Sequence, residues 1–464
     1  MAELRHVTQD PKKALMPYCA DAFSAALQEL HKNILVERTD SYLEKVLDSE
    51  IRSSELTDLD KGLLNEIAHG VLRWQSRLDW VLNGFSHGNF SKAETNVKNA
   101  LRVALYQILF LDRIPHSAAV NEAVEFVKRI RGEKPAGLVN AVLRNILRNL
   151  DGIRYPDPAE DQLQHLSVYL SHPPWMVRRW MERFGHEETR RLLTANNERP
   201  SLTLRINRLR IEPGAFVSLL ATQGVTTSPS AYLDFFVKVR GLTRIAQMDL
   251  FRNGSFTIQD ESAALPCLLL EPNPGETVID LCAAPGGKTT AMAEMMKNEG
   301  RVIALDRFEA KLSHIRAASE RLGLRNIHPL LADSSTFEHE PVDRVLLDAP
   351  CSGLGVLMKK PDIKWKREQT DLVKLARKQT ELLENAARLV KPGGVLVYST
   401  CTTEPEENET PVREFLSRHP EFALESAAPY VSKDLVSPEG FVMTFPHRHG
   451  MDGSFAARMR KIKT

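Results

Sequence analysis

From about Gly254 onward, short apolar runs alternate with helical stretches, and that alternation leaves few folds open. The runs are Thr277–Leu281, Arg301–Leu305, Ile327–Leu330, Val342–Leu347 and Gly394–Tyr398. Strands that alternate with helices pair in parallel and form a doubly wound α/β sheet with helices on both faces. Residues 254–464 are therefore expected to form a Rossmann-like domain. In such sheets the working residues lie just beyond the carboxyl ends of the strands, so those ends are the places to search.

The preceding half reads differently. Leu63, Ile67, Val71 and Leu72 recur at helical spacing, as do Leu101, Leu105, Ile108 and Leu109, and then Val139, Val142, Leu143 and Ile146. This predicts an all-α domain over residues 1–155. It ends near Leu150, where Asp151-Gly152 and Tyr155-Pro156-Asp157-Pro158 read as a linker because proline disfavours helix at and before its own position. Residues 156–253 read as a small α+β segment. Ser171-His172-Pro173-Pro174-Trp175 looks like a helix start with Ser171 as cap, and Ser201–Asn207 looks like a strand. A chain of 464 residues accommodates three such domains.

Composition narrows the classes. Lys plus Arg number 61 and Asp plus Glu 60, so net charge points to no partner and any nucleic-acid signal must be local. The stretch Met1–Lys13 lacks the apolar core of a signal peptide, and no run approaches 18 apolar residues, so no membrane contact is expected. The cysteines Cys19, Cys267, Cys282, Cys351 and Cys401 are few, odd in number and widely spaced. They form no C-x-x-C pair, so neither a metal site nor a disulfide framework is expected, and a reducing cytoplasm is the natural reading. The chain is expected to be a monomer, which the cysteines do not themselves decide.

The sharpest local feature is the run Asp280-Leu281-Cys282-Ala283-Ala284-Pro285-Gly286-Gly287-Lys288-Thr289, a strand end, a small-residue loop and a helix start. Small residues let a ligand approach the backbone, and a helix N-terminus offers free N–H groups. Gly287-Lys288-Thr289 resembles the end of a P-loop, but the position required to be the first glycine is Cys282. The dinucleotide pattern G-x-G-x-x-G is absent as well. What remains is Asp280, the loop, and Asp306 closing the next strand 20 residues after Gly286, where a carboxylate can hold ribose hydroxyls. That suits an adenosine ligand without a pyrophosphate, as in S-adenosylmethionine. Asp333, after the third strand, is placed to meet the adenine amino group. A single such Asp is more simply a loop cap; three at successive strand ends are not.

Two thiols complete the picture. Cys351 follows the strand ending in Asp348, and Cys401 follows the strand ending in Tyr398. Cys19, Cys267 and Cys282 read as small structural residues. Two strand-end thiols beside a methyl donor suit cytosine, whose carbon 5 is too weak a nucleophile unaided. A thiolate adding at carbon 6 makes carbon 5 reactive, and loss of the carbon 5 proton afterwards releases the enzyme. Asp348 is placed to hydrogen-bond the N3/N4 edge of the base, and Lys288 to orient the ring or lower a thiol pKa. Spacing alone leaves the two cysteines interchangeable.

These residues carry a resemblance. The Asp280–Thr289 run, Asp348-Ala349-Pro350-Cys351-Ser352-Gly353-Leu354-Gly355 and Ser399-Thr400-Cys401-Thr402 resemble the signature motifs of the RNA cytosine-5 methyltransferases, the NOL1/NOP2/Sun family. So do Phe256–Ala264, Lys391-Pro392-Gly393-Gly394 and Met451-Asp452-Gly453-Ser454-Phe455, with Ser454 standing where the family often has an aromatic. The resemblance implies that Cys401 is the nucleophile and that Cys351 assists product release. It also implies that Cys282, Ala283, Ala284, Pro285, Gly286, Gly287, Lys288, Asp306, Asp333 and Asp348 contact the cofactor. Upstream, Gly70-Val71-Leu72-Arg73, Pro115–Val124 and Gly137–Arg144 resemble a NusB domain. That pairing is the architecture of the RsmB (Fmu/Sun) type, which implies a cytosine of small-subunit (16S) ribosomal RNA as substrate.

Local charge fits an RNA partner. Arg178–Arg210 holds nine arginines against four glutamates, and Lys359–Lys378 holds eight basic residues around Trp365. The end of the chain adds His447, Arg448, His449, Arg458, Arg460, Lys461 and Lys463. Clustered cations neutralise phosphates and an aromatic can stack an unpaired base, although any one such run can equally be a solvated face. A target cytosine must leave its stack to reach the cleft, so structured RNA with a flipped-out base is the expected substrate. The helical region and the arginine run are expected to add RNA affinity but no chemistry. Two rival readings stand beside this one: an enzyme acting on transfer RNA or another ribosomal site, and a binding factor with a vestigial catalytic half. Label transfer from the cofactor to total rRNA separates the binder from the enzymes.

Overall fold

The computed structural model describes Leu43, Leu47, Ile51 and residues 56–87, 90–242 and 244–463. Cys19 and Met1–Lys13 lie outside the described residues. The chain divides into two compact units. A helical unit comprises the described residues up to Asn197 together with Lys360–Lys366, and a sheet unit comprises the described residues from Glu198 to Lys359 and from Arg367 onward.

In the helical unit the longer helices are α1 (Asp58–Arg73), α2 (Gln75–Phe85), α3 (Thr95–Phe110), α4 (His116–Arg131), α5 (Glu133–Arg148), α6 (Gln162–Tyr169), α7 (Pro174–Phe184) and α8 (His186–Asn196). The expected apolar faces form one core: Ile67 and Val71 of α1, Leu101 and Leu105 of α3, and Val139, Leu143 and Ile146 of α5 are all essentially inaccessible. Gly70 is a packing requirement, because a Cβ there would collide with the Tyr106 ring, which packs against α1 and donates to Glu66 Oε1 at 2.6 Å. The expected linker is partly absorbed, since Ile153 and Tyr155 pack against this core. Ser171 is not the cap of α7. Pro173 holds that position, and the Ser171 hydroxyl instead accepts from the Ser76 N–H at 3.0 Å.

Lys360–Lys366 overturns part of the expected basic surface. Lys364 is fully buried and donates to Asn197 Oδ1 at 2.7 Å and to the carbonyls of Ser171 and Arg73. Trp365 packs against the helical core and donates to the Leu72 carbonyl at 2.7 Å, so it is no stacking platform for a base.

The sheet unit holds two sheets. The smaller contains β1 (Leu202–Ile206), β2 (Thr226–Pro229), β3 (Phe236–Arg240) and β4 (Phe256–Ile258) in the antiparallel order β2-β3-β1-β4, with helix α9 (Pro213–Thr222) beside it. The larger sheet contains β5 (Thr277–Asp280), β6 (Arg301–Asp306), β7 (Ile327–Leu331), β8 (Val342–Asp348), β9 (Val390–Thr400), β10 (Phe422–Glu425), β11 (Val442–Thr444) and β12 (Ser454–Lys461). Its order is β10-β12-β9-β8-β5-β6-β7, with β11 paired to β12. The five expected parallel strands are all present. Helices α10 (Gly287–Met295), α11 (Glu309–Leu322), α12 (Gln369–Arg388) and α13 (Glu409–Arg418) cover the sheet and connect its strands.

The antiparallel extension was not legible as strand. Arg458, Arg460 and Lys461, expected as part of an RNA-binding tail, lie in β12 between β9 and β10. Arg458 is fully buried and pairs with Glu425 at 2.6 Å, Arg460 pairs with the same carboxylate, and Lys461 donates to the Val390 carbonyl at 2.9 Å. Their charges serve the sheet rather than a phosphate backbone.

Candidate active site

Parallel pairing sets β6, β5, β8 and β9 side by side, and the order reverses between β5 and β8. β5 and β6 run off to one side of that point, β8 and β9 to the other, which leaves a crevice beyond the carboxyl ends. Asp280 pairs in register with Ala304 and Leu346, and Asp348 with Ser399, so the motifs open onto the same end of the sheet.

The loop after β5 is held by the backbone. Leu281 N–H donates to the Leu346 carbonyl at 3.0 Å and Ala283 N–H to the Leu305 carbonyl at 2.8 Å. Gly286 sits in the left-handed region at φ 104° as the residue before α10, and a Cβ there would press on Ile315 at 3.2 Å. A Cβ on Gly287 would meet the Gln259 amide at 3.1 Å. Close-packed glycines opening a helix N-terminus make a cradle that lets a ligand approach the backbone, as the expected cofactor requires. Arg205, within the arginine run expected to bind RNA, is buried and supports this loop from β1. It donates to the Gly287 carbonyl at 2.8 Å, Thr290 Oγ1 at 2.9 Å, Glu294 at 3.0 Å and the Gln259 side-chain carbonyl.

The strand-end carboxylates differ sharply. Asp280 is fully buried and accepts from Thr289 Oγ1 at 2.7 Å. Burial, with the Asp348 charge adding, pushes its carboxyl up to about 7. Asp306 accepts from the Phe308 N–H at 3.0 Å and lies 3.7 Å from Lys311 Nζ. Asp333 is exposed and accepts from both the N–H and the hydroxyl of Ser335, at 2.8 and 2.6 Å, which holds its carboxyl below the usual range. That is the geometry of a loop cap.

Asp348 and Lys288 form the charged heart of the crevice. Lys288 Nζ lies 2.6 Å from Asp348 Oδ2, and the Ser399 hydroxyl donates to Asp348 Oδ1 at 2.8 Å. Burial works against the ammonium charge, yet the Asp348 carboxylate outweighs it and raises the Lys288 pKa. Lys288 therefore stays protonated. Although it belongs to the cofactor loop, its charge is spent on the neighbouring strand.

Cys351 and Cys401 meet. Their sulfurs are 3.1 Å apart and both residues are half-buried. Cys401 N–H points at Cys351 Sγ at 3.3 Å. The hydrogen bond with Cys401, and then burial, raise the Cys351 thiol well above the ordinary range, so Cys351 keeps its proton. Cys267 and Cys282 are pushed up to about 12 by burial and are inert thiols.

The sequence reading missed the scaffold under this pair. Glu407 is buried, which raises its carboxyl, and accepts from Ser352 N–H at 2.8 Å and Gln379 Nε2 at 3.0 Å. Gln379 also donates to the Pro350 carbonyl at 3.0 Å, and Tyr398 donates to the Glu407 carbonyl at 2.6 Å. Asn408 accepts from Thr400 Oγ1 at 2.6 Å and donates to the Thr402 carbonyl at 3.0 Å, fixing the turn that carries Cys401. The signal available was the polar run Glu406-Glu407-Asn408 so soon after Cys401, which solvation alone does not require. Among the described residues no group of three or more His, Cys, Asp or Glu is placed to hold a metal, and no helix is long and apolar enough to cross a membrane.

Comparison with known proteins agrees along the length of the chain. Residues 267–460 match the family model for 16S rRNA methyltransferase RsmB/F, residues 21–148 the NusB family, and residues 172–244 the ferredoxin-like domain of RsmF/B-like methyltransferases. A relative from Bacillus subtilis, named as a probable ribosomal RNA small subunit methyltransferase B, is 39% identical over 92% of this chain and 96% of its own. A ribosomal RNA small subunit methyltransferase B from Salmonella paratyphi A is 35% identical over 80% of this chain and 85% of its own. One solved structure superposes with a TM-score of 0.79 at 29% identity, covering 95% of this chain and 99% of its own. Identity at this level over nine-tenths of the chain, joined to a doubly wound sheet with paired strand-end thiols, means that the protein belongs to the RsmB/F family of 16S rRNA methyltransferases.

Proposed function

We propose that this rRNA methyltransferase transfers a methyl group from S-adenosylmethionine to carbon 5 of a cytosine in small-subunit ribosomal RNA, through a covalent adduct with Cys401. The observation that carries the reading is the 3.1 Å contact between Cys351 and Cys401 beside the Asp348–Lys288 pair. Methylation at a ring nitrogen or a ribose hydroxyl needs no nucleophilic thiol, whereas carbon 5 of a pyrimidine does.

The glycine cradle and Asp306 would hold the cofactor, whereas Asp333, which the resemblance assigns to it, is already engaged in capping Ser335. Bound S-adenosylmethionine would supply the electrophilic methyl group, the methyl–sulfur bond breaking with its electron pair retained by the departing S-adenosylhomocysteine. Asp348, held by Lys288 and Ser399, accepts from the cytosine amino edge and so fixes the ring in the crevice. The Cys401 thiolate bonds to carbon 6, which places the displaced electron pair on carbon 5 for bonding to the methyl carbon. After a base takes the carbon 5 proton, that C–H electron pair restores the 5,6 double bond and the Cys401–carbon 6 bond breaks. The Cys351 S–H, 3.1 Å from the departing sulfur, stabilises the leaving thiolate by hydrogen bonding.

The roles of the two thiols are separable. Cys401→Ala should abolish turnover and form no covalent complex. Cys351→Ala should still permit attack and methyl transfer but retain the product, giving a slow-migrating protein–RNA band on a denaturing gel. The reverse pattern would exchange the roles, and activity surviving in Cys401→Ala with no adduct from either variant would refute thiol catalysis here.

A further inference from the structure

Two motifs of the sequence have no part in the chemistry above: Phe256–Ala264 and Met451–Phe455. They meet on one lysine. Lys359 Nζ lies 2.8 Å from Asp452 Oδ2 and also pairs with Asp260. Asp452 N–H in turn donates to Asp260 Oδ1 at 3.1 Å, and Ser262 N–H donates to the same oxygen at 3.0 Å. All three charged side chains are largely buried, with relative exposures of 29%, 13% and 10% for Lys359, Asp260 and Asp452. Burial alone would neutralise such groups, but their mutual charge keeps Asp260 lowered and Lys359 raised. A lysine so enclosed is a poor phosphate ligand, contrary to the basic run in which the sequence places it.

The cluster is tied to the nucleophile through backbone. Gly453, next to Asp452, donates its N–H to the Gly355 carbonyl at 2.8 Å, and Gly355 donates to the Cys401 carbonyl at 3.0 Å. The approach tolerates no side chain: a Cβ on Gly355 would collide with the Gly453 carbonyl oxygen and stand 2.8 Å from that of Cys401. The turn from Gly355 to Lys359 is thus pinned at both ends, to Cys401 at one and to the two carboxylates at the other.

We infer that Lys359, clasped by Asp260 and Asp452, is a positioning residue that fixes the backbone of Cys401 for attack. This rests on Cys401 being the nucleophile. A displacement of about 1 Å at an attacking atom costs about a hundredfold in rate, so the effect belongs in the covalent step and not in binding.

The experiment uses the full chain, S-adenosylmethionine and a small-subunit rRNA transcript in which 5-fluorocytidine replaces cytidine, which traps the methylated adduct because fluorine cannot leave as a proton does. At saturating RNA, Lys359→Met and Asp452→Asn should form the adduct about a hundredfold more slowly than the native chain. Lys359→Arg should recover most of the rate, and affinity for S-adenosylhomocysteine by calorimetry should stay unchanged. If Lys359→Met fails to fold, Asp452→Asn and Lys359→Arg carry the comparison. An unchanged adduct rate at saturating RNA overturns the inference, as does a defect confined to the KM for RNA, which would make Lys359 a phosphate contact. Absence of an adduct from the native chain would instead remove the thiol mechanism, and the inference with it.

Discussion

The two sides of the crevice are built in different ways. On the side of β6 and β7, Asp306 and Asp333 accept from N–H groups two residues further along the chain, so their geometry is set locally. On the side of β8 and β9, Asp348 is held by Lys288 from another strand's loop, Cys351 by Cys401, and the Cys351 loop by Glu407 and Gln379. A locally set carboxylate can be removed with little consequence beyond its own contacts, whereas a group set by long-range partners leaves those partners unsatisfied when it goes. The catalytic side should therefore be brittle and the cofactor side tolerant.

The strongest test of that contrast is Lys288→Met. Lys288 belongs by sequence to the cofactor loop and by contact to Asp348, so its loss should slow methyl transfer by about a hundredfold or more, with cofactor affinity changed much less. Single-turnover kinetics and calorimetry separate the two; an affinity loss as large as the rate loss would return Lys288 to the cofactor side. Asp306→Ala should come next, weakening S-adenosylmethionine by about tenfold while the rate at saturating cofactor stays close to native. Unchanged affinity in calorimetry would remove Asp306 from the site.

Asp280 sharpens the comparison through stability. Its carboxyl is raised, so the folded chain binds this proton more tightly than the unfolded chain does. Its contribution to stability then falls as pH rises from about 4, the ordinary carboxyl value, through the raised value of about 7. Asp280→Asn should flatten that part of the profile of unfolding temperature against pH, and an unaltered slope would show that the buried carboxyl is not the source. The smallest effect belongs to Asp333→Ala. Exposed and already capping Ser335, it should change cofactor affinity by no more than about threefold, and a tenfold loss would place it among the ligand contacts.

A cut just after the Tyr155–Pro158 linker does not cleanly isolate the chemistry from RNA binding. Lys364 and Trp365, close after the Cys351 motif, bond to carbonyls of Arg73 and Leu72. Removing the helices before the cut would strip those partners as well as any RNA surface, so a lost activity in such a fragment would not by itself assign chemistry to the helical unit.

Much of this was legible beforehand because it is periodic or compact. Helical spacing gave the faces of α1, α3 and α5, and apolar runs gave β5 to β9. The loop from Cys282 to Lys288 stood out because close backbone approach restricts it to small residues. β12 was hidden because charged residues interrupt its apolar pattern, and only partners such as Glu425 make those charges tolerable inside a sheet.

The sequence by itself determined the five parallel strands, the small-residue loop after β5 and the presence of two strand-end thiols, since each is encoded in a contiguous stretch whose local physics permits little else. Tertiary structure alone decided what the charges are for. Arg205, Lys359 and Lys364 read identically as basic residues of a patch, yet one braces the cofactor loop, one clasps two aspartates, and one is buried among carbonyls of the helical unit. The reason is that a cation's role depends on which acceptors reach it and how much water remains. Those acceptors lie tens to hundreds of residues away in the chain, where no local pattern records them.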